Sequence, residues 1–254
     1  MRPAPVSRGP SRHCEEDRGV AVVLVAHGSR DPRGAASTSE LAQAVAAAHP
    51  EWEVHASYLD HAGPRPLDVL AGLSRRHSRA VLVPLLLTAA YHGRVDVPAV
   101  VDAARDAGLR LDVTLADVLG PVSSLLVDVL ILRLPTTDLD AVVLAAAGTR
   151  DAVARATVEE AAAALGERLG VPCTVAYASA APPTAGAAVA SLHADRVGVA
   201  SYFLAPGLLY DKAMESARSA GAVAVAPPLG DAPEIVALVA ARVHAATRPL
   251  ASAA

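Results

Sequence analysis

From Val20 onward, short runs rich in Val and Leu alternate with longer Ala-rich stretches, and the whole series is played twice. Apolar runs of strand length separated by helical segments are the pattern of successive βαβ units, in which each helix returns the chain to the start of the next parallel strand. Strands are expected near 20–26, 53–59, 80–87 and 111–116, and helices near 35–48, 65–76, 97–107 and 121–133. The turn-rich segment Leu134-Pro135-Thr136-Thr137-Asp138 then breaks the pattern. Beyond it, strands are expected near 141–147, 172–178, 196–203 and 222–226.

The two series look like copies. Ala147-Gly148-Thr149-Arg150-Asp151 echoes His27-Gly28-Ser29-Arg30-Asp31, Pro228-Leu229-Gly230 echoes Val118-Leu119-Gly120, and Tyr202 to Leu209 lies where Leu85 to His92 should recur. A repeat at so long a period implies duplication of a whole α/β unit rather than a solenoid. The expected organisation is a first half over 19–134 and a second over 139–248, preceded by a disordered leader, 1–18, without the apolar stretch of a secretory signal.

Composition narrows the classes that remain. Apolar residues make up 53% of the 254 and aromatic ones only 3%, so the core must be Ala, Val and Leu, which suits helices packed on a parallel sheet. The longest apolar run, Ala80 to Tyr91, is interrupted by Pro84 and Thr88 and falls short of the roughly 20 residues of a membrane span. No membrane is expected as a partner. A net charge of −4 without a Lys/Arg run argues against nucleic acid and for a small ligand. Cys14 and Cys173 form no CxxC pair, which leaves a disulfide framework, a zinc knuckle and an iron–sulfur cluster without ligands and favours a reducing cytoplasm.

The candidate chemistry lies where strands end. Val22-Val23-Leu24-Val25-Ala26 runs into His27, the expected strand before Leu59 runs into Asp60, and Val81 to Leu87 leads on to His92. In an open parallel sheet, residues just past the carboxyl ends of the strands face the ligand crevice. Two imidazoles and a carboxylate suit proton transfer near pH 7 or a transition metal. A permanently held metal would want three or four protein ligands, and no HExxH pair is present, so a labile site that receives a metal and passes it on is the better fit. Gly28 and Ser29, at an expected helix N-terminus, suit an anion, and Arg30 and Arg94 are candidate carboxylate clamps whose competing role is pairing with Asp31 and Asp96. Ser29 is not read as a nucleophile, because no G-x-S-x-G elbow surrounds it. His61 flanks Asp60 as an outside candidate, while His49 and His77 sit near expected helix ends, where a cation suits the dipole. In the second copy Ala147 stands for His27 and Leu209 for His92, so the chemistry belongs to the first half.

Val25 to Pro32, the Tyr58-Leu59-Asp60 strand end, and Val83-Pro84-Leu85-Leu86-Leu87 followed by His92 and Asp96-Val97-Pro98 resemble the sirohydrochlorin chelatases of the class II chelatase family, over nearly all of 20–248. The resemblance implies two similar α/β halves facing each other across a cleft. It implies ATP-independent insertion of Fe2+ or Co2+, with iron favoured, into sirohydrochlorin for sirohaem or cobalamin. His27 and His92 match the family's metal-binding histidines. Asp60 stands where the family usually has glutamate. No permanently bound cofactor is implied, and a monomer holding both halves would form the full cleft. The other readings of the same residues are a tetrapyrrole- or metal-delivery protein and a metal-dependent hydrolase on the same scaffold.

Overall fold

Val22, Val23, Leu24 and Val25 are each buried to within 1% of complete exclusion, on both faces of their strand. An uninterrupted apolar run can satisfy that only in the middle of a parallel sheet covered on both sides. The computed structural model describes residues 19–88, 96–136 and 138–248. Its first half runs β1 (Val20–Ala26), α1 (Pro32–Ala48), β2 (Trp52–Tyr58), α2 (Pro66–Leu73), β3 (Arg79–Pro84), α3 (Val97–Asp106), β4 (Asp112–Leu115) and α4 (Ser124–Leu132). The second runs β5 (Ala141–Ala146), α5 (Ala152–Leu169), β6 (Cys173–Tyr177), α6 (Ala185–Ser191), β7 (Val197–Tyr202), α7 (Leu208–Ser219), β8 (Ala224–Val225) and α8 (Pro233–Thr247). Two four-stranded sheets result, ordered β2-β1-β3-β4 and β6-β5-β7-β8, with every ladder parallel.

Two strands end short of the sequence expectation. β3 stops at Pro84 rather than at residue 87, because proline has no N–H to continue the ladder, and β8 keeps two residues of the five expected. Helix starts follow the sequence closely. Asp31 caps α1 by accepting from the Arg33 amide with Pro32 in the first turn, and Asp151 caps α5 by accepting from Val153 and Ala154.

The layers are not two independent sandwiches. α2 and α3 cover the outer face of the first sheet around Val23, Leu70 and Leu82, and α6 and α7 cover the outer face of the second around Val199 and Met214. Between the sheets lies one shared core, in which Leu24 and Val83 of one sheet and Leu144 and Tyr202 of the other join Leu130, Leu165 and Val239 from the helices. The last helix of each half is exchanged: α4 packs on α5 and β7, while α8 packs on α1 and β3. Arginines pin the exchange. Arg242 of α8 donates to the carbonyls of Val118, Leu119 and Gly120 at 2.7–3.0 Å, and Arg133, at the end of α4, donates to the Leu229 carbonyl at 2.7 Å. Thus the two echoed Leu-Gly segments each receive the arginine of the opposite half. No helix among the described residues is long and apolar enough to cross a membrane.

Candidate functional site

The carboxyl ends of β1, β2 and β3 and of β5, β6 and β7 line one cavity of about 520 Å³ between the halves. Its walls are paired copies: His27 with Ala147, Gly28 with Gly148, Ser29 with Thr149, Tyr58 with Tyr177, and Leu85, Leu86 and Leu87 with Tyr202, Phe203 and Leu204. Among the described residues its lining holds no Lys, Arg, Asp or Glu, and His27 is its one imidazole. An apolar chamber with few polar groups is the usual form of a small-molecule site.

The turn that presents His27 is built twice. Gly28 has φ +93°, and a β-carbon there would stand 1.8 Å from the Asp60 carbonyl oxygen; Gly148 has φ +92° with the Ser179 carbonyl 2.0 Å from such an atom. Only glycine lets the two strand ends approach so closely. The Asp60 amide then donates to the His27 carbonyl at 2.8 Å, as the Ser179 amide does to Ala147 at 3.1 Å. This ties the residue after β2 to the residue after β1. Ser29 accepts from the Asp31 amide at 3.0 Å, and Thr149 from Asp151 at 3.1 Å, so both hydroxyls serve the turn that enters the next helix.

Asp60 stands at the rim of the chamber, with 53% of its side chain exposed. Its carboxylate accepts from the His61 amide at 2.8 Å, with the His61 ring 3.5 Å and Arg65 3.6 Å away. That amide bond, then the nearby charges of His61, Arg65 and His27, holds the Asp60 carboxyl below the usual carboxylate range. It is therefore ionised at neutral pH. His27 and His61 meet edge to face with ring centroids 6.4 Å apart. The structure thus brings His27, Asp60 and the outside candidate His61 together, and sets Gly28 and Ser29 in the wall. His92 and Arg94 lie outside the described residues. Among the described residues no three His, Cys, Asp or Glu side chains are arranged to hold a metal ion.

Arg30 is exposed and does not line the chamber. The pairing expected between Arg30 and Asp31 is made instead by Arg33. The first-turn geometry of α1 brings the Arg33 Nη2 to 2.5 Å from Asp31 and also to 2.5 Å from Asp211 of the opposite half. Sequence reasoning passed over Arg33, and nothing local signals a partner 178 residues away. His77 does follow the end of α2, its amide donating to the Leu73 carbonyl at 2.9 Å, but its partner was not signalled. That ring is fully buried, 2.7 Å from Glu53, which also bonds His55 at 2.8 Å and pairs with Arg76. This cluster lies at the amino ends of the strands, away from the chamber.

The CbiX family model matches residues 21–137 and 141–246, which covers both halves. The sirohydrochlorin cobaltochelatase of Methanococcoides burtonii is 26% identical over 80 residues, 31% of this chain, and the match spans 61% of that relative's length. Among solved structures, the sirohydrochlorin chelatase SirB from Bacillus subtilis subspecies spizizenii in complex with cobalt is 19% identical with a TM-score of 0.75, covering 89% of this chain and 94% of that one. SirB from Bacillus subtilis with Fe3+ gives 21% and 0.74 over the same shares, and CbiX, described as the terminal enzyme of sirohaem biosynthesis in denitrifying bacteria, gives 21% and 0.60 over 91% and 100%. At these identities the structures establish a common fold: two parallel α/β halves of the chelatase kind.

Proposed function

The chain belongs to the CbiX family, and from that premise we propose that it inserts a divalent metal into a sirohydrochlorin-type tetrapyrrole without ATP. The observation that carries this reading is the apolar chamber at the strand ends, with His27 as its described imidazole and the ionised Asp60 at its rim. An apolar chamber suits the faces of a macrocycle, and a rim open to solvent suits its carboxylates.

Metal insertion is an exchange: as the ring nitrogens capture M2+, two pyrrole N–H protons leave. Neutral imidazole can hold the incoming ion over the ring or accept such a proton, and it does either only when unprotonated. His27 takes that role, with His92 as the second imidazole that the resemblance assigns. Asp60, charged and half exposed, passes the protons to water, helped by its neighbour His61. One methylene shorter than glutamate, Asp60 keeps its carboxylate at the strand end, where the His61 amide fixes it. The ring carboxylates fall to the Gly28 and Ser29 wall and to rim arginines, of which Arg30 and Arg94 were the sequence candidates.

Fe2+ is the proposed metal and Co2+ its competitor, since imidazole and carboxylate ligands suit both. The protein is proposed to work in the cytoplasm as a monomer. The test is anaerobic absorbance spectroscopy of metal-free sirohydrochlorin with Fe2+ or Co2+ and catalytic amounts of protein. Many turnovers, lost in His27→Ala and in His92→Ala, are the expected result, with activity falling as pH drops through the histidine range. A spectral change that stops at one equivalent means a binding or delivery protein, and a flat profile between about pH 5 and 8 removes the imidazoles from the mechanism.

A further inference from the structure

We propose that Arg33 is the cation that receives a carboxylate of the anionic tetrapyrrole, and that it does so by exchanging Asp211 for the ligand. The inference rests on the tetrapyrrole reading above and adds to it a residue, a partner and a mode of entry. Its starting point is a mismatch. The substrate class carries several carboxylates, yet the described lining of the chamber contains no arginine or lysine. Among the described residues, a compensating cation is therefore to be sought at the rim.

Arg33 stands there between two acids. Asp31 holds it from its own half through Nε at 3.1 Å and Nη2 at 2.5 Å, and Asp211 holds it from the other half through Nη2 at 2.5 Å and Nη1 at 3.5 Å. The neighbouring Gly34, which faces Ser29 and Pro206, lines the chamber with them, as does Leu209 two residues before Asp211, so the ion pair bridges the halves beside the chamber wall. The two acids are not equivalent. Asp31 is 21% exposed and is engaged as the cap of α1, whereas Asp211 is 46% exposed and sits in the first turn of α7. A carboxylate at a helix N-terminus keeps favourable surroundings when it loses a partner. Asp211 is thus the exchangeable one, and Asp31 keeps its hold on the guanidinium. An incoming carboxylate can take up the bidentate geometry that Asp211 leaves.

Binding of metal-free sirohydrochlorin, followed by its fluorescence at fixed ionic strength without added metal, tests the exchange. Arg33→Gln is expected to weaken binding about 5- to 20-fold and Asp211→Asn to tighten it about 2- to 5-fold, the second because a competitor has been removed. Opposite shifts from the two ends of one ion pair distinguish ligand exchange from a bracing role, in which both variants would move together. Arg33→Lys is expected to recover part of the loss, since it restores the charge without the fork. Shifts in the same direction, or none, overturn the inference while leaving wild-type metallation untouched. Wild-type protein that does not bind the ring overturns both readings. Binding without turnover removes the chelatase reading alone, and the opposite shifts still support the exchange.

Discussion

Gly28 and Gly148 share the same left-handed backbone, the same near-collision with a carbonyl at the end of the adjacent strand and the same hydroxyl-closed entry to a helix. Around that common frame the halves part company. The first presents His27, Asp60 and His61; the second presents Ala147, Ser179 and Ala180 at the matching positions, and the Ser179 hydroxyl turns back to donate to the Ala147 carbonyl at 2.8 Å. The aromatic weight runs the other way, since Tyr202 and Phe203 line the chamber where the first half has Leu85 and Leu86. One copy supplies the polar groups and the other the broader apolar wall. A duplicated scaffold thus keeps its geometry where packing demands it and spends its side chains differently on either side of one cavity.

The largest test of that asymmetry is chemical. His27→Ala is expected to lower metallation at least about 100-fold, the usual worth of a positioned acid–base group, measured as turnover by absorbance. Next comes the shared frame. Gly28→Ala and Gly148→Ala should each cost about 2–4 kcal/mol in thermal or urea unfolding, because both place a β-carbon inside a carbonyl oxygen at positive φ. A much smaller loss at Gly148 would mean that the second turn has relaxed.

A third comparison concerns acid. The first half carries Glu53 beneath its sheet, held well below the usual carboxylate range by Arg76, then by His77 and His55. A carboxyl depressed in the folded state adds stability that is present above its unfolded value of about 4.3 and is lost as pH falls below it. The position beside β6 that corresponds to Glu53 is Pro172, so the second half has no such group there. Glu53→Gln is expected to cost about 1–3 kcal/mol at neutral pH, by leaving Arg76 and the buried His77 short of an acceptor, and to flatten the acid limb of the stability curve. An acid limb that survives the substitution would place the sensitivity elsewhere.

The smallest expected effect lies in the tyrosine pair. Tyr58 donates to the Ala35 carbonyl at 2.9 Å, whereas the Tyr177 hydroxyl is buried without a hydrogen-bond partner among the described residues. Tyr58→Phe should cost about 1 kcal/mol, and Tyr177→Phe should be neutral or stabilising. Equal losses would show that Tyr177 has a water or ligand partner of its own.

Much of this was legible in the sequence. The order of elements, the repeat of the α/β unit, the chamber-lining position of His27 and the strand-end position of Asp60 follow from strand-length apolar runs that end on polar residues, and such runs leave a parallel sheet little choice. Helix starts were readable because Asp31-Pro32 carries its own capping chemistry. What escaped were side-chain partners set by tertiary approach. Arg33 finds Asp211 across the halves, His77 is drawn beneath the sheet by Glu53 from a neighbouring strand, and α4 and α8 cross over although their sequences only say helix. The echoed Leu-Gly segments were noticed as a repeat, but their use as receivers for Arg242 and Arg133 appears only once the crossing is seen.

That crossing has a consequence for inheritance as well as for folding. A copy that carries Ala147 where the other carries His27 would ordinarily be free to erode, yet here it lends α8 to its partner's sheet and borrows α4 in return. Cut at residue 136, the first half would expose the face of β3 and hold out a helix with nowhere to dock. Such a fragment is expected to seek a second copy of itself, as a swapped dimer whose join has been undone. Each half is kept because the other is unfinished without it.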